Sequence, residues 1–257
     1  MGFGSITHYI DYAQVALYAF WIFFAGLVYY LRREDKREGY PLISDRSANV
    51  TVQGFPSMPA PKVFLLRNGT TYEAPPGRRE ERAVDLAPAS GAPGAPALPQ
   101  GNPLLDGVGP ASWAEREELP ELTAEDEHRV VPLRVATDYA VAAEDADPRG
   151  MAVIGADDVI AGDVVDLWID RSEPQIRYLE VALAGQPQLH VLLPAAFARI
   201  DGRRRRILVR TLLAEQFAHV PRTASPDLIT AREEDRVTAF FGGGQLYALP
   251  DRQEPAL

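Results

Sequence analysis

The sequence predicts one membrane-spanning helix at the N-terminus, then a mainly β domain that closes as a small antiparallel barrel or sandwich, with one short helix near its C-terminal end. Three observations carry this. Residues 12–31, YAQVALYAFWIFFAGLVYYL, contain no charged side chain and a single amide, Gln14. From residue 130 onward, short apolar runs are punctuated by Gly, Asp and Pro, the pattern of closely spaced strands. Residues 230–241 pair Thr230 with Glu233, the start signal of a capping box, before an apolar stretch.

At ~1.5 Å per residue, residues 12–31 form a helix of roughly 30 Å, the thickness of a bilayer's hydrocarbon core. Arg32, Arg33, Lys36 and Arg37 follow it, whereas residues 1–11 carry no Lys or Arg. That asymmetry predicts an uncleaved anchor rather than a signal peptide, with residues 1–11 outside and the large domain in the cytoplasm. Ala19 and Gly26 lie two turns apart on one face. They make either a helix-docking stripe or incidental small residues on a lone anchor.

Residues 32–129 are expected to be extended and to lie on a surface. Prolines 41, 56, 59 and 61 forbid a helix, 62–66 reads as one short strand, and Asn68-Gly69 reads as a turn. Residues 78–82, RREER, read as a solvated loop. Residues 84–110 are rich in Pro, Ala and Gly, the composition of a linker, although PLLDGVGPASW suggests that its second half is laid down on a partner. Residues 130–257 form the β domain. Within it, Asp201-Gly202 predicts the tip of the last hairpin, and Gly242 to Gly244 predict the stop of the C-terminal helix. Arg203 to Arg206 then read as an exposed strand end.

Net charge −10 argues against a nucleic-acid binder. The absence of cysteine excludes disulfides, thiolate metal sites and cysteine nucleophiles. Four histidines, His8, His128, His190 and His219, show no metal-ligand spacing, and no phosphate-loop, dinucleotide or serine-nucleophile motif is present. No catalytic, metal-binding or cofactor-binding residue is therefore assigned. Two acidic stretches remain: Glu118, Glu121, Glu125, Asp126, Glu127 with His128, and Asp166, Asp170, Glu173 with Arg171 and Arg177. Each is either a solvated acidic surface or a set of crowded carboxylates whose coupled titration lets some of them hold a proton near neutral pH.

Several segments together resemble the H subunit of the purple-bacterial photosynthetic reaction centre: LRREDKREGYPL at 31–42, GNPLLDGVGPASW at 101–113, DPRGMAV at 147–153, DLWIDRSEPQIRYLEV at 166–181 and EEDRVTAFFGGGQLYALP at 233–250. The resemblance covers nearly the whole chain in order. It implies that the β domain is a PRC barrel and that the N-terminus is periplasmic, in the bacterial inner (intracytoplasmic) membrane. It implies a subunit that binds no cofactor itself but caps the cytoplasmic face of the L and M subunits, which hold bacteriochlorophyll, bacteriopheophytin, quinones and a non-haem iron. A cytochrome subunit, a light-harvesting antenna ring and membrane lipids are further partners that it implies. In the family, a Glu and an Arg lie near the secondary quinone on the proton route; the matching residues are Glu173 and Arg177, with Asp170 beside them. Protons are collected just after an LPEL motif, here at 119–122. The family's Asp and two alternate His are replaced by Thr123, Glu125 and Glu127, with His128 one step later, so uptake falls to Glu125, Asp126, Glu127 and His128. The alternative reading is a membrane-tethered PRC-barrel module that recruits a cytoplasmic partner.

Overall fold

The structure is a computed structural model and describes residues 11–44, 47–66, 69–77, 82–92 and 94–252. The chain divides into two units, Met1–Glu81 with Gly91–Ala95, and Arg82–Ser90 with Pro96–Leu257.

The first unit begins with α1 (Tyr12–Glu34), none of whose residues is buried. Asp11 and Gln14 form a capping box at its start, with Gln14 N donating to Asp11 Oδ1 at 2.8 Å. The only amide in the apolar run thus satisfies a helix end. α1 runs three residues past the expected stop and carries Arg32 and Arg33 in its last turn; a 3-10 turn, Asp35–Arg37, follows. The basic cluster also ties the following segment to the helix end. Lys36 is buried, its ammonium donating to Gln53 O at 2.5 Å and Pro56 O at 2.6 Å. Arg37 pairs with Glu34 at 2.9 Å and donates to Ala60 O, while Lys62 reaches Glu34 at 3.0 Å.

β1 (Leu42–Ser44) pairs with β2 (Ser47–Val52) where only extended chain is expected, and the strand expected at 62–66 is found as β3 (Lys62–Leu65), paired with β4 (Thr71–Ala74). Of the expected Asn68-Gly69 turn, Asn68 lies outside the described residues, as does most of the 78–82 loop; Gly69 N donates to Leu66 O at 3.0 Å.

In the second unit, parts of the linker-like segment form regular structure. β5 (Leu86–Pro88) pairs with β6 (Ala97–Pro99), and Leu104 and Ala111 are buried in the core of the β domain while Leu105 stays exposed. The domain is a seven-stranded sheet made of β7 (Val130–Pro132), β8 (Ala152–Ile154), β9 (Ile160–Asp170), β10 (Gln175–Leu183), β11 (Gln186–Pro194), β12 (Arg199–Asp201) and β13 (Arg206–Leu208). Its path is β11-β10-β9-β8-β13-β12, with β7 on β9 beside β8. All pairs are antiparallel except β8 with β13, which run parallel, and the sheet stays open between β11 and β12. Trp168, Tyr178, Leu167, Leu179 and Leu193 fill its interior. The predicted hairpin tip is found, with Asp201 opposite Arg206, and Arg203, Arg204 and Arg205 are exposed on the turn.

α2 (Ala231–Tyr247) keeps its predicted capping box, Thr230 with Glu233, but runs straight through Gly242, Gly243 and Gly244. These glycines are not a stop. A Cβ at Gly243 would stand 2.4 Å from Ala111 Cβ, and one at Gly244 would stand 2.2 Å from Thr211 O. They let the helix lie against backbone, with Phe241 packed between Phe197 and Phe217. Gly244→Ala is accordingly expected to cost about 1–3 kcal/mol by overpacking. Thermal denaturation of the purified chain measures it; an unchanged midpoint would mean the contact yields freely.

Candidate functional site: a carboxylate and arginine band at one end of the sheet

The register of two strands builds the site. β7 pairs with β9 so that Val130 faces Asp170, which brings Arg129, just before β7, against the last residue of β9. Asp170 is fully buried and its Oδ2 accepts from Arg129 Nε at 2.9 Å and Nη2 at 2.7 Å. Its Oδ1 accepts from the backbone N–H of Ser172 at 2.9 Å and of Glu173 at 3.2 Å, shaping the turn between β9 and β10. Burial alone would raise the Asp170 pKa, but the guanidinium and the two N–H groups outweigh it and hold the carboxyl below its ordinary value. Asp170 is thus a fixed negative charge.

Arg129 also pairs with Glu121 at 2.6 Å, and Glu121 with Arg116 at 2.6 Å. The loop after Leu122 closes through a bridge between Leu122 and His128. The buried Thr123 hydroxyl accepts from the N–H of Glu125 at 3.2 Å and of Glu127 at 3.3 Å, and Asp126 takes a left-handed φ of 64° at the tip. The side chains of Glu125, Asp126 and Glu127 are exposed; His128 is half-buried. Arg171, on the β9–β10 turn, reaches Glu127 at 3.2 Å, and Arg171 N donates to Arg129 O at 2.8 Å. The two acidic stretches singled out in the sequence therefore meet.

Glu173 and Arg177 stand exposed on and just after the turn, Glu173 accepting from Gln175 Nε2 at 3.2 Å. Arg177 Nε is 3.8 Å from Glu234 Oε2. Glu234 is a residue that sequence reasoning passed over. It lies in the first turn of α2, buried, and accepts from the Tyr178 hydroxyl at 2.8 Å. Burial pushes its carboxyl above the ordinary value, against the lowering pull of Tyr178 and Arg177. Burial likewise pushes the Tyr178 phenol up, reinforced by the Glu234 charge. The one available signal was the second Glu of EED: the first, Glu233, is consumed by the capping box, leaving its neighbour to face the sheet.

Asp166 goes elsewhere. With Arg134 at 2.9 Å it faces a cleft of about 620 Å³ that also contains Glu180 and His190. Arg134 reaches Glu180 at 2.6 Å and donates to Pro226 O; Glu180 also accepts from Trp168 Nε1 at 2.9 Å and lies 2.7 Å from His190 Nδ1. These partners overcome burial and keep Glu180 below its ordinary pKa. No group of three or more His, Asp or Glu among the described residues is arranged to hold a metal ion.

Comparison with known families gives two matches. Residues 4–135 match the profile described as the photosynthetic reaction centre, H-chain N-terminal region, and residues 141–216 match the PRC-barrel domain. The first covers half of the chain and the second follows it in order over the sheet; with its exposed apolar helix, the chain is a single-pass membrane protein belonging to the photosynthetic reaction-centre H-chain family.

Proposed function

We propose that this chain caps the cytoplasmic face of the L and M subunits, shields the quinone sites from solvent, and carries protons toward the secondary quinone. The supporting observation is the meeting of the two acidic stretches in one band: Glu127 to Arg171, Arg129 to Asp170, and Arg177 to Glu234. The quinone, held by the partner subunits, supplies the redox chemistry; this chain contributes no catalytic residue. Its task is to take protons from water and hand them to a site closed to water.

Exposed Glu125, Asp126 and Glu127, with His128, collect protons, because a cluster of negative charge draws cations, protons among them, to the surface. Asp170 does not titrate near neutral pH; it orients Glu173 by capping its N–H and holds Arg129 in place. Glu234 is the group best suited to store a proton, since burial favours its neutral form. Glu173 and Arg177 are exposed in the chain alone, and so are the part of the band that a partner can cover. Beside them an apolar groove of about 310 Å³, lined by Tyr139, Val141, Pro174 and Ile176, suits a docked partner segment. The concentration of basic residues after α1 favours a cytoplasmic location for all of these groups, in the bacterial inner membrane. Antenna and cytochrome partners belong to the same reading.

A tethered binding module that works without pigments is the competing reading. Mild-detergent extracts purified through this chain separate the two: co-purifying bacteriochlorophyll absorbance is expected, and a colourless preparation would leave the binding module standing.

A further inference from the structure

The loop after β2 is tied to the end of α1, and nothing in the proton-transfer reading uses it. Residues 47–61 hold no charged side chain, in a chain that is 24% charged. Lys36, only 1% exposed, fastens the loop by donating to Gln53 O and Pro56 O, and its ammonium lies 5.0 Å from the Tyr40 ring centroid. Between those two carbonyls sits Phe55, 84% exposed, the most exposed large apolar side chain among the described residues. Its ring reaches back along the helix to Tyr29, with centroids 5.9 Å apart.

Tyr29 fixes the depth of that ring. It lies inside the charge-free run, one turn and ~6 Å before Arg33 along the axis, and helical side chains lean toward the helix N-terminus, here deeper into the run. Phe55 is therefore held at or below the level of Arg32 and Arg33, where a membrane crossed by α1 passes from headgroups to acyl chains. Arg32 and Arg33 are exposed at the same end, as anionic headgroups require.

We propose that Gln53 to Pro56 is a second membrane contact of this chain, in which Phe55 inserts at the boundary between acyl chains and headgroups while Lys36 holds the loop against α1. An aromatic side chain on a neutral loop is the chemistry that enters this layer, and the burial of Lys36 is what sets its depth. The occupant is lipid, not a neighbouring subunit: an 84% exposed ring, level with the end of a helix long and apolar enough to cross a membrane and flanked by two exposed arginines, matches a headgroup surface. The proposal rests on α1 crossing the membrane and not on the proton-transfer reading.

The chain has no cysteine, so Phe55→Cys in the full chain takes a spin label at one place. Labelled before assembly with its partner subunits, the complex goes into nanodiscs of phosphatidylcholine and phosphatidylglycerol. Collisions with dissolved oxygen, which concentrates in lipid, and with a water-soluble nickel chelate are compared with those at Ile22→Cys in mid-span and Glu125→Cys on an exposed loop. Oxygen is expected to exceed nickel several-fold at position 55, as at 22. Nickel predominating, as at 125, puts the ring in water and overturns the proposal; exclusion of both puts protein over it and overturns the proposal equally. In a second variant, Lys36→Met added to the labelled chain is expected to raise nickel collisions several-fold. Unchanged collisions would remove Lys36 from the role of clamp.

Discussion

Glu173→Gln is expected to slow the proton-coupled second electron transfer to the secondary quinone on the order of 10-fold, with primary charge separation unchanged. The side chain keeps its size and the backbone N–H of residue 173 keeps its bond to Asp170, so the turn survives. What is lost is the carboxylate proposed as a relay at the exposed edge of the band. A positioned proton-transfer group typically contributes about 10²–10⁴. A smaller loss is expected because Glu127, Glu121 and Glu234 lie along the same band and take over part of the traffic. Flash kinetics across pH measure both steps. A second transfer as fast as in the parent chain would remove Glu173 from the route, and a slowed primary step would mean the substitution had disturbed the partner subunits instead.

Arg129→Met is expected to destabilise the β domain at neutral pH by about 3–5 kcal/mol, the cost of leaving a buried charge unpaired. Asp170 is fully buried and, among the described residues, Arg129 is its only side-chain cation, the other partners being two N–H groups. In the parent chain the folded Asp170 has a lowered pKa, so its contribution is present above the unfolded pKa and lost as pH falls through the folded one. Without Arg129, burial is the dominant influence and the folded pKa rises. The sign then inverts locally: the variant regains stability as pH falls from neutral toward the range where Asp170 protonates. Asp170→Asn in the same chain should remove most of the penalty and the inversion with it. Urea denaturation at several pH values measures this, and an Arg129→Met chain with the parent's pH dependence would contradict the assignment of Asp170 as a buried ionised group.

The membrane helix was legible because a charge-free run has few alternatives, and the strands from residue 130 onward because apolar runs between Gly, Asp and Pro mark their own ends. The pairings before residue 100 were so only in part: the strand at 62–66 could be read, whereas β1, β5 and β6 are three residues long, too short for any alternation to announce them, and β5 and β6 each end in Pro. α2 was cut short because Gly reads locally as a helix stop, whereas Gly243 and Gly244 answer to Ala111 and Thr211, far away in the chain. The parallel pairing of β8 with β13 has no local signature either. In the site, both acidic stretches could be picked out by their composition. Their meeting could not, because it depends on Val130 facing Asp170 across forty residues of chain. Glu234 was hidden for the same reason, since only the packing of α2 on the sheet buries it and gives it Tyr178.

The most direct test is flash-induced proton uptake, followed with a pH-indicator dye, in reaction centres from which this chain has been removed and then restored. The account predicts that the parent chain restores fast uptake, whereas chains carrying Glu173→Gln together with Glu234→Gln rebind equally well but leave uptake slow. Full restoration by the doubly substituted chain would contradict it: the subunit would then cap the complex without carrying its protons.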